Sequence, residues 1–513
     1  MLYARDAIRH GRVSLLRCSP ALILVVVAIA DIQRWADPDL WGHVAFGRAM
    51  WATFRLALHD PYSYSAPGHL WLNHEWLSEV LMGAFYNLGG VIGLKLMKFG
   101  CCVALIASLA WGLAQIDSPM RLQLVLLIVA AIAVAPHMQF RPQLFSFATT
   151  AGLLAILTKY TYRGKAPLSA LILMSWVWAN LHGGFFIGIA ALGAFSIVRT
   201  ITDLRGGRGP RVGARLFATL AAAIAVTLLT PYGLGTWQAV GHALINPHTR
   251  QIIDDWQSLT RALIAMCREN PVGAIPDLFA IAIFLALGVT LLLNPRRGDS
   301  AIVAVALLMI VAALTATRNV PLAVIATVMA LAQHSSSFFR ATETPRASRA
   351  GQIFIAAIGV ILLIGTGLLS PTLRAGSFKP VGAIAFMQAH RLSGNVMSDF
   401  SWGEYLIWHM APASKVFIDG RYDTVYPPNV IDDYLAFQYG EPGAKDVLRK
   451  YPHDFILLSA KSESALSLVR AAPEWKPIYR DAGCILFARV DSAAARIPPV
   501  EVSAEDTPAS YFP

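Results

Sequence analysis

The stretch Asp37-Pro38-Asp39-Leu40-Trp41-Gly42-His43 organises this sequence, because it places two carboxylates and an imidazole shortly after the first long apolar run, Ala21 to Ala30. Carboxylates beside hydrocarbon are costly unless they meet a cation, a metal or a polar ligand. The stretch is therefore a candidate reaction centre at a membrane surface. The alternative is an ordinary interfacial loop, in which Pro38 breaks the helix and both acids face water.

The composition is that of a polytopic membrane protein. Of the 513 residues, 56% are hydrophobic and 14% are charged, whereas a soluble domain is about 45–50% apolar and about 25% charged. The net charge of +11 does not indicate a nucleic-acid partner, because most basic residues fall in short loops between apolar runs. This positive-inside pattern reports membrane topology.

The apolar runs predict an α-helical polytopic domain, residues 1–374, with about 11 transmembrane helices in the lipid bilayer. Four arginines before the first run place the N-terminus in the cytoplasm, and an odd number of spans leaves the C-terminal part extracytoplasmic. We expect a multi-pass membrane protein. The predicted spans are 20–36, 91–113, 121–136, 142–158, 167–181, 183–199, 212–230, 276–293, 299–316, 320–333 and 351–370.

Two long segments fall on the predicted outer side, residues 37–90 and 231–275. The first is rich in Trp, Tyr and His, which favour the headgroup layer. Within it, 43–56 and 76–88 have amphipathic helical periodicity and are expected to lie along the surface, and Gly89-Gly90 closes the segment.

After about residue 375 the composition becomes that of a soluble domain. Alternating helix and strand patterns predict a small extracytoplasmic α/β domain at 375–490. Its strands are expected at 395–399, 415–419, 455–458, 475–479 and 484–489, and the last two are expected to form a hairpin. Two polar motifs there, Ser398 to Gly403 and Asp419 to Asp423, each follow a predicted strand, where α/β domains bind ligands, or else they are turns held by Asp and Gly. The tail, 491–513, is rich in Ala, Pro and acids and is expected to be disordered.

Four cations near the predicted outer side are candidates for holding a lipid phosphate: Arg141, Arg318, Lys95 and Lys98. A guanidinium at the membrane edge usually has a specific partner, which favours a functional role for Arg318. For the two lysines the alternative is snorkelling to the headgroups.

A metal site is not identified by the sequence. His74-Glu75 resembles the opening of a zinc-protease motif, but Ser78 stands where the second His would be needed. Asp37 and Asp39 can bind a divalent cation, Mg²⁺ or Mn²⁺, although short acid pairs are common by chance. The second outer segment adds another acid pair, Asp254-Asp255, whose alternative is a solvated loop.

The motifs together resemble those of bacterial GT-C-class membrane proteins, which include lipid-linked sugar transferases of the Rgt and protein-mannosyltransferase type. The first outer segment carries Asp37-Pro-Asp-Leu-Trp-x-His43, Asp60-Pro-Tyr-Ser-Tyr64 and Trp71-x-Asn-His-Glu-Trp-Leu-x-Glu79. Motifs typical of a largely uncharacterised branch follow at Arg141-Pro-Gln-Leu-Phe145, Trp178-Ala-Asn-Leu-His-Gly183, Asp255-Trp-Gln257, Arg318-Asn319 and Ser401-Trp-Gly-x-Tyr405.

The resemblance implies a glycosyltransferase that moves a sugar from a polyprenyl-phosphate donor to a cell-envelope glycan, lipid or protein. The reaction would take place at the extracytoplasmic face of the bacterial inner (cytoplasmic) membrane. Asp37 or Asp39 would be the catalytic base or a metal ligand. Substrate contacts would come from His43, His74, Glu75, Arg141, His182, Arg318, Lys95 and Lys98. Two alternatives remain: a transporter or flippase of lipid-linked sugars, which usually has inverted repeats and mid-membrane polar residues that are not evident here, and a non-catalytic envelope assembly protein.

Overall fold

A computed structural model describes residues 20–32, 35–207, 209–246, 253–294, 298–335, 349–365, 367–376, 378–503 and 509–513. The four N-terminal arginines that set the predicted topology lie outside these residues. The chain forms two compact units. The first unit comprises residues up to Arg34 and Lys95–Leu369, and the second comprises Trp35–Leu94 and Ser370–Pro513.

Nineteen α-helices are found in the described residues. In chain order, α1 to α19 are Pro20–Ala30, Leu40–Thr53, Trp76–Leu113, Met120–Val134, Gln143–Arg163, Leu168–Leu181, Phe185–Arg205, Arg211–Val226, Leu234–Ile245, Leu259–Glu269, Ile275–Leu293, Ser300–Thr315, Val320–His334, Arg349–Gly365, Val381–Ala389, Gly403–Met410, Pro428–Tyr439, Ala444–Lys450 and Glu463–Ala471.

The apolar core of the first unit surrounds α13. Every residue of this helix except Gln333 is buried, because its sequence is apolar on all sides and a helix of that kind is stable only when other helices cover it. It packs against α12, α11, α4 and α5. The long helix α3, which runs from the second unit into the first, is interrupted at Gly89 and Gly90, whose backbone angles are not helical. The predicted break at this glycine pair is confirmed.

Four helices of the described residues are long and apolar enough to cross a membrane: α3, α7, α11 and the stretch Met120–His137 that contains α4. Large apolar side chains are exposed on α11 and α14, including Leu285, Leu292 and Ile361. Exposed apolar surface of this extent fits a lipid environment, so the prediction of a membrane protein is supported. Most of the other predicted spans coincide with shorter helices, and the predicted number of about 11 is not confirmed.

The second unit combines the first outer segment with the C-terminal part of the chain. Strand β1 (Trp35–Ala36) pairs in parallel with β2 (Leu373–Ala375). The expected division into contiguous domains at residue 374 therefore differs from the two observed units. Backbone pairing explains the difference, because a strand in the outer segment is completed only by a partner more than 300 residues later.

A six-stranded mixed sheet forms the centre of the second unit. Its strand order is β4-β3-β5-β7-β6-β8. These strands are β3 Asn395–Ser398, β4 Lys415–Val416, β5 Phe455–Ser459, β6 Trp475–Arg480, β7 Cys484–Arg489 and β8 Val500–Glu501. Strands β3 to β7 lie where the alternating pattern predicts them, and β6 and β7 form the expected antiparallel hairpin.

The described part of the tail is not disordered. Strand β8 pairs with β6, and β9 (Tyr511–Phe512) pairs antiparallel with β2. The aromatic ring of Phe512 is buried against Trp41 and Trp408. Composition misleads here because two short strands and one anchoring ring are enough to fix a segment that is otherwise rich in Ala, Pro and acids.

Candidate active site

The acidic stretch forms the entry to α2 in the second unit. Asp37 is buried, and its Oδ1 accepts a hydrogen bond of 3.0 Å from the backbone N–H of Asp39. Asp39 occupies the N-cap position of α2 and is partly exposed, without a capping bond from its own side chain. The first acid therefore fixes the turn, whereas the second presents its carboxylate at the start of a helix, where the helix dipole favours negative charge.

A third carboxyl group, from Glu404 in α16, lies beside this turn. The backbone N–H of Gly42 donates a hydrogen bond of 3.1 Å to Oε2 of Glu404. The other oxygen, Oε1, and Oδ1 of Asp39 each lie 2.7 Å from the position that a Cβ on Gly420 would occupy. Burial, followed by the charges of nearby carboxylates, raises the pKa of Glu404 well above its usual value.

The buried cation near these acids is Lys379. Its side chain is 1% exposed, its Nζ donates a hydrogen bond of 2.6 Å to the carbonyl of Ser401, and it lies 5.2 Å from the ring centroid of Trp41. Burial lowers the pKa of Lys379 to about 8, although Asp39, Asp37 and Glu404 favour its charged form. A buried lysine of this kind stabilises anionic carboxylates nearby.

The Gly420 turn is held by Arg421, whose guanidinium is buried. Its Nε and Nη2 bind the two oxygens of Asp419 at 2.8 and 2.6 Å, and its Nη1 binds Oδ1 of Asp60 at 2.5 Å. The hydroxyl of Tyr426 also donates to Asp419 at 2.6 Å. The guanidinium carbon lies within 5.9 Å of four aromatic ring centroids, those of Trp71, Tyr62, Phe46 and Tyr426. This network attaches the outer segment to the C-terminal part of the unit.

His43 lies one turn into α2 and is buried. Its Nδ1 is 3.2 Å from Oε1 of Glu79, whose other oxygen accepts a hydrogen bond of 2.5 Å from Asn73. Burial alone would lower the pKa of His43, but the hydrogen bond to Glu79 and the charges of Glu75, Glu79 and Asp39 raise it to about 9. The acids around His43 therefore favour its protonated form. The neighbouring His74 lies 3.7 Å from Glu75, and both side chains are partly exposed.

In the first unit, Arg141 and Arg318 lie around the acid pair of the second outer segment. Nη1 of Arg141 binds Oδ2 of Asp255 at 2.7 Å, and the guanidinium of Arg318 lies 4.6 Å from the ring centroid of Trp256. Burial would raise the pKa of Asp255, but Arg141, Arg318 and His137 hold it below its usual value. The neighbouring guanidinium groups therefore favour the charged form of the Asp255 carboxyl group.

The remaining cationic candidates have protein partners. Nζ of Lys95 donates to the carbonyl of Gly367 at 2.8 Å, and Nζ of Lys98 lies 3.2 Å from Oδ1 of Asp31. Both lysines are buried, and phosphate binding by either of them stays a prediction.

His182 has a local structural role. The indole of Trp178 donates to Oγ of Ser146 at 2.6 Å, and this hydroxyl binds Nδ1 of His182 at 2.7 Å. The same Nδ1 accepts the backbone N–H of Gly184 at 2.9 Å. The ring thus fixes the end of α6 and the start of α7. A substrate contact for His182 stays a prediction.

Within the described residues, no three side chains among His, Cys, Asp and Glu are arranged to hold a metal ion. The acid pair Asp37 and Asp39 lies near Lys379, and a buried ammonium group supplies positive charge where a cation would otherwise be needed. The divalent metal stays a prediction of the sequence, and no step proposed below uses one.

Sequence reasoning missed Glu404, Lys379 and Arg421 as members of this site. Glu404 stands within the motif Ser401 to Tyr405, and Arg421 stands within Asp419 to Asp423, so the motifs were visible but their acids and bases were not assigned. An ionisable residue within a short polar motif is the sequence signal that could have identified Glu404 and Arg421. Lys379 has no comparable signal, because it stands alone between Phe378 and Pro380.

The fold is similar to that of several solved structures. The archaeal oligosaccharyltransferase AglB from Archaeoglobus fulgidus, solved with an inhibitory peptide and a dolichol-phosphate, matches with a TM-score of 0.55 and 12% identity, over 88% of this chain and 70% of that one. The Archaeoglobus fulgidus oligosaccharyltransferase in complex with Zn and sulfate matches with a TM-score of 0.53 and 13% identity, over 95% of this chain and 74% of that one. The arabinofuranosyltransferase AftD from Mycobacteria matches with a TM-score of 0.50 and 16% identity, over 91% of this chain and 41% of that one.

The chain has a GT-C-type fold. The expectation drawn from the first-segment motifs is thereby confirmed at the level of the fold. No protein-family model matches the sequence, and the comparison with curated proteins finds no match. The identities of 12–16% to the GT-C structures carry the architecture and not the reaction, so the chemistry has to be argued from the side chains.

Proposed function

We propose that this protein is a membrane glycosyltransferase that moves a sugar from a polyprenyl-phosphate donor to a cell-envelope acceptor, which is a glycan, a lipid or a protein. The observation that carries the proposal is the acid centre at the start of α2, where Asp39 is partly exposed beside a buried lysine. The GT-C-type fold supports the donor class, because AglB, which shares the fold, was solved with a dolichol-phosphate.

Asp39 is the proposed catalytic base, and Asp37 is the residue that orients it. The side chain of Asp37 accepts the N–H of Asp39, whereas the carboxylate of Asp39 is partly exposed to an incoming acceptor. As the nucleophilic atom of the acceptor attacks the anomeric carbon, Asp39 takes its proton, and the bond between that carbon and the phosphate oxygen breaks. The polyprenyl phosphate leaves with the bonding electrons.

Arg141 and Arg318, which lie in the first unit, are proposed to bind the phosphate of a polyprenyl carrier. Both guanidiniums lie next to Asp255, which offsets part of their charge before the donor binds. The proposed acceptor contacts are His43, His74 and Glu75. We propose that the reaction takes place on the extracytoplasmic side of a bacterial inner membrane.

The test is the glycan profile of cells that carry Asp39→Asn or Asp37→Asn in place of the wild-type protein. Asn keeps the size of the side chain but cannot accept a proton. Loss of a general base slows a reaction by about 10²–10⁴-fold, so mass spectrometry of the envelope should show one glycan lost in Asp39→Asn. Unchanged glycans in both variants, at wild-type protein levels, would rule out the catalytic role.

A further inference from the structure

The helix α16 brings a third carboxyl group, that of Glu404, to the acid centre, beside the turn Asp419-Gly420-Arg421. Oε1 of Glu404 and Oδ1 of Asp39 both lie 2.7 Å from the Cβ position of Gly420, which limits their separation to twice that distance. Glu404 is 3% exposed and is held by the N–H of Gly42. The close approach of the two carboxyl groups requires a residue without a side chain at position 420.

We propose that Glu404 is a positioning residue for Asp39, and that Gly420 provides the space in which the two carboxyl groups meet. This inference rests on the proposed function, in which Asp39 is the base. It adds that the C-terminal part of the chain supplies a side chain on which the geometry of the reaction centre depends.

The hydrogen bond from Gly42 explains how Glu404 can act on Asp39. Gly42 lies in the first turn of α2, three residues after Asp39, and a bond to its N–H fixes the end of the helix that carries the acid. A Cβ on Gly42 would lie 2.2 Å from Cδ of Glu404, so the helix approaches the carboxyl group as closely as its backbone allows. A helix end held in this way keeps the carboxylate of Asp39 within a narrow range of orientations.

Several charged groups surround Glu404. The charged groups that face it are Asp39, Asp419, Glu79, Arg421 and Lys379. Asp419 is itself bound by Arg421 and Tyr426, so the turn that contains Gly420 is held from the other side. The start of α16 packs closely against the backbone before this turn, since a Cβ on Gly403 would lie 2.3 Å from the carbonyl oxygen of Ile418.

A steric variant separates positioning from folding. Gly420→Ala places a methyl group 2.7 Å from both carboxyl oxygens, which are the ends of flexible side chains and can move aside at little cost in stability. Gly420 does not have a positive φ, so alanine fits its backbone. The control is Gly241→Ala in α9, where a Cβ meets nothing within 4 Å.

The experiment measures the envelope glycan by mass spectrometry and the Tm of the full-length protein in detergent. For Gly420→Ala we expect a loss of at least tenfold in the glycan with a Tm close to that of Gly241→Ala. Gly420→Ala with wild-type glycan would overturn the proposal. So would a glycan loss matched by an equal loss of folded protein, since Gly420 would then act through folding alone.

Conservative replacement of Glu404 gives a second, independent readout. Glu404→Gln keeps an oxygen that accepts the N–H of Gly42, and we expect its glycan level to stay within about threefold of wild type, while Glu404→Ala loses at least tenfold. Equal losses in both variants at wild-type Tm would overturn the positioning role. An unchanged glycan in Asp39→Asn refutes the proposed function itself, whereas a loss in Asp39→Asn without a loss in Gly420→Ala refutes only this inference.

Discussion

The backbone N–H of Gly42 donates a hydrogen bond to Oε2 of Glu404, a residue 362 positions later in the chain. This contact joins the helix that follows the acidic stretch to the domain that ends the chain. With the pairing of β1 and β2 and the ion pair between Arg421 and Asp60, it joins the outer segment to the C-terminal residues in one unit. A reaction centre built in this way depends on both segments, because the outer segment supplies Asp39 and the C-terminal part supplies Glu404.

The ion network around Arg421 predicts a large effect on stability. Arg421→Met leaves Asp419 and Asp60 buried without their cation, and breaking a buried ion pair costs about 3–5 kcal/mol. We expect a clear fall in Tm of the purified protein in detergent. The matched control is Arg449→Met, which removes an exposed pair with Glu474 and should change stability by less than about 1 kcal/mol. Equal Tm values for the two variants would contradict the role given to Arg421.

The raised pKa of His43 predicts a pH-dependent contribution to stability. The ring binds its proton more tightly in the folded protein, with a pKa of about 9 against an ordinary value of 6.5. Its contribution is therefore complete below about pH 6.5 and disappears as the pH rises through about 9. We expect the Tm difference between wild type and His43→Gln to shrink over this interval. A difference that is constant between pH 6 and 9, or that grows, would show that Glu79 does not hold a protonated ring.

Arg141 and Arg318 predict the affinity for a lipid phosphate. A hydrogen bond to a charged group contributes about 1.5–3 kcal/mol, so Arg318→Gln should weaken binding of undecaprenyl phosphate by roughly 10–100-fold. Binding is measured on the purified full-length protein in nanodiscs. Arg215→Gln, an exposed arginine of α8, is the control and should leave the affinity unchanged. If Arg318→Gln binds as tightly as this control, the phosphate is held elsewhere.

Much of this fold could be read from the sequence, because its signals are local. Apolar runs located most helices of the first unit, and strand patterns located β3 to β7. The helices α9 and α10 lie in the predicted second outer segment and were not predicted. The helix α17, Pro428–Tyr439, was not predicted, since Pro427 and Pro428 suggest a turn although proline is well accommodated in the first turn of a helix. Strand pairings such as β1 with β2 involve two or three residues each, and such short strands leave no periodic pattern.

The candidate site was only partly predictable for the same reason. Asp37, Asp39 and His43 lie close together in the sequence, so one short motif beside an apolar run contains all three. Glu404, Lys379 and Arg421 join them through contacts across more than 300 residues. A single sequence contains no record of such distances, and only the folded backbone places these charges around one helix terminus.

The most direct measurement of the central claim is the amount of polyprenyl-phosphate-linked sugar in lipid extracts of cells that carry Asp39→Asn. A blocked transfer leaves the donor unused, so one lipid-linked sugar should accumulate while the glycan made from it disappears, as in cells that lack the protein. Wild-type amounts of every lipid-linked sugar and of every envelope glycan, with Asp39→Asn present at the wild-type level, would contradict sugar transfer by this acid.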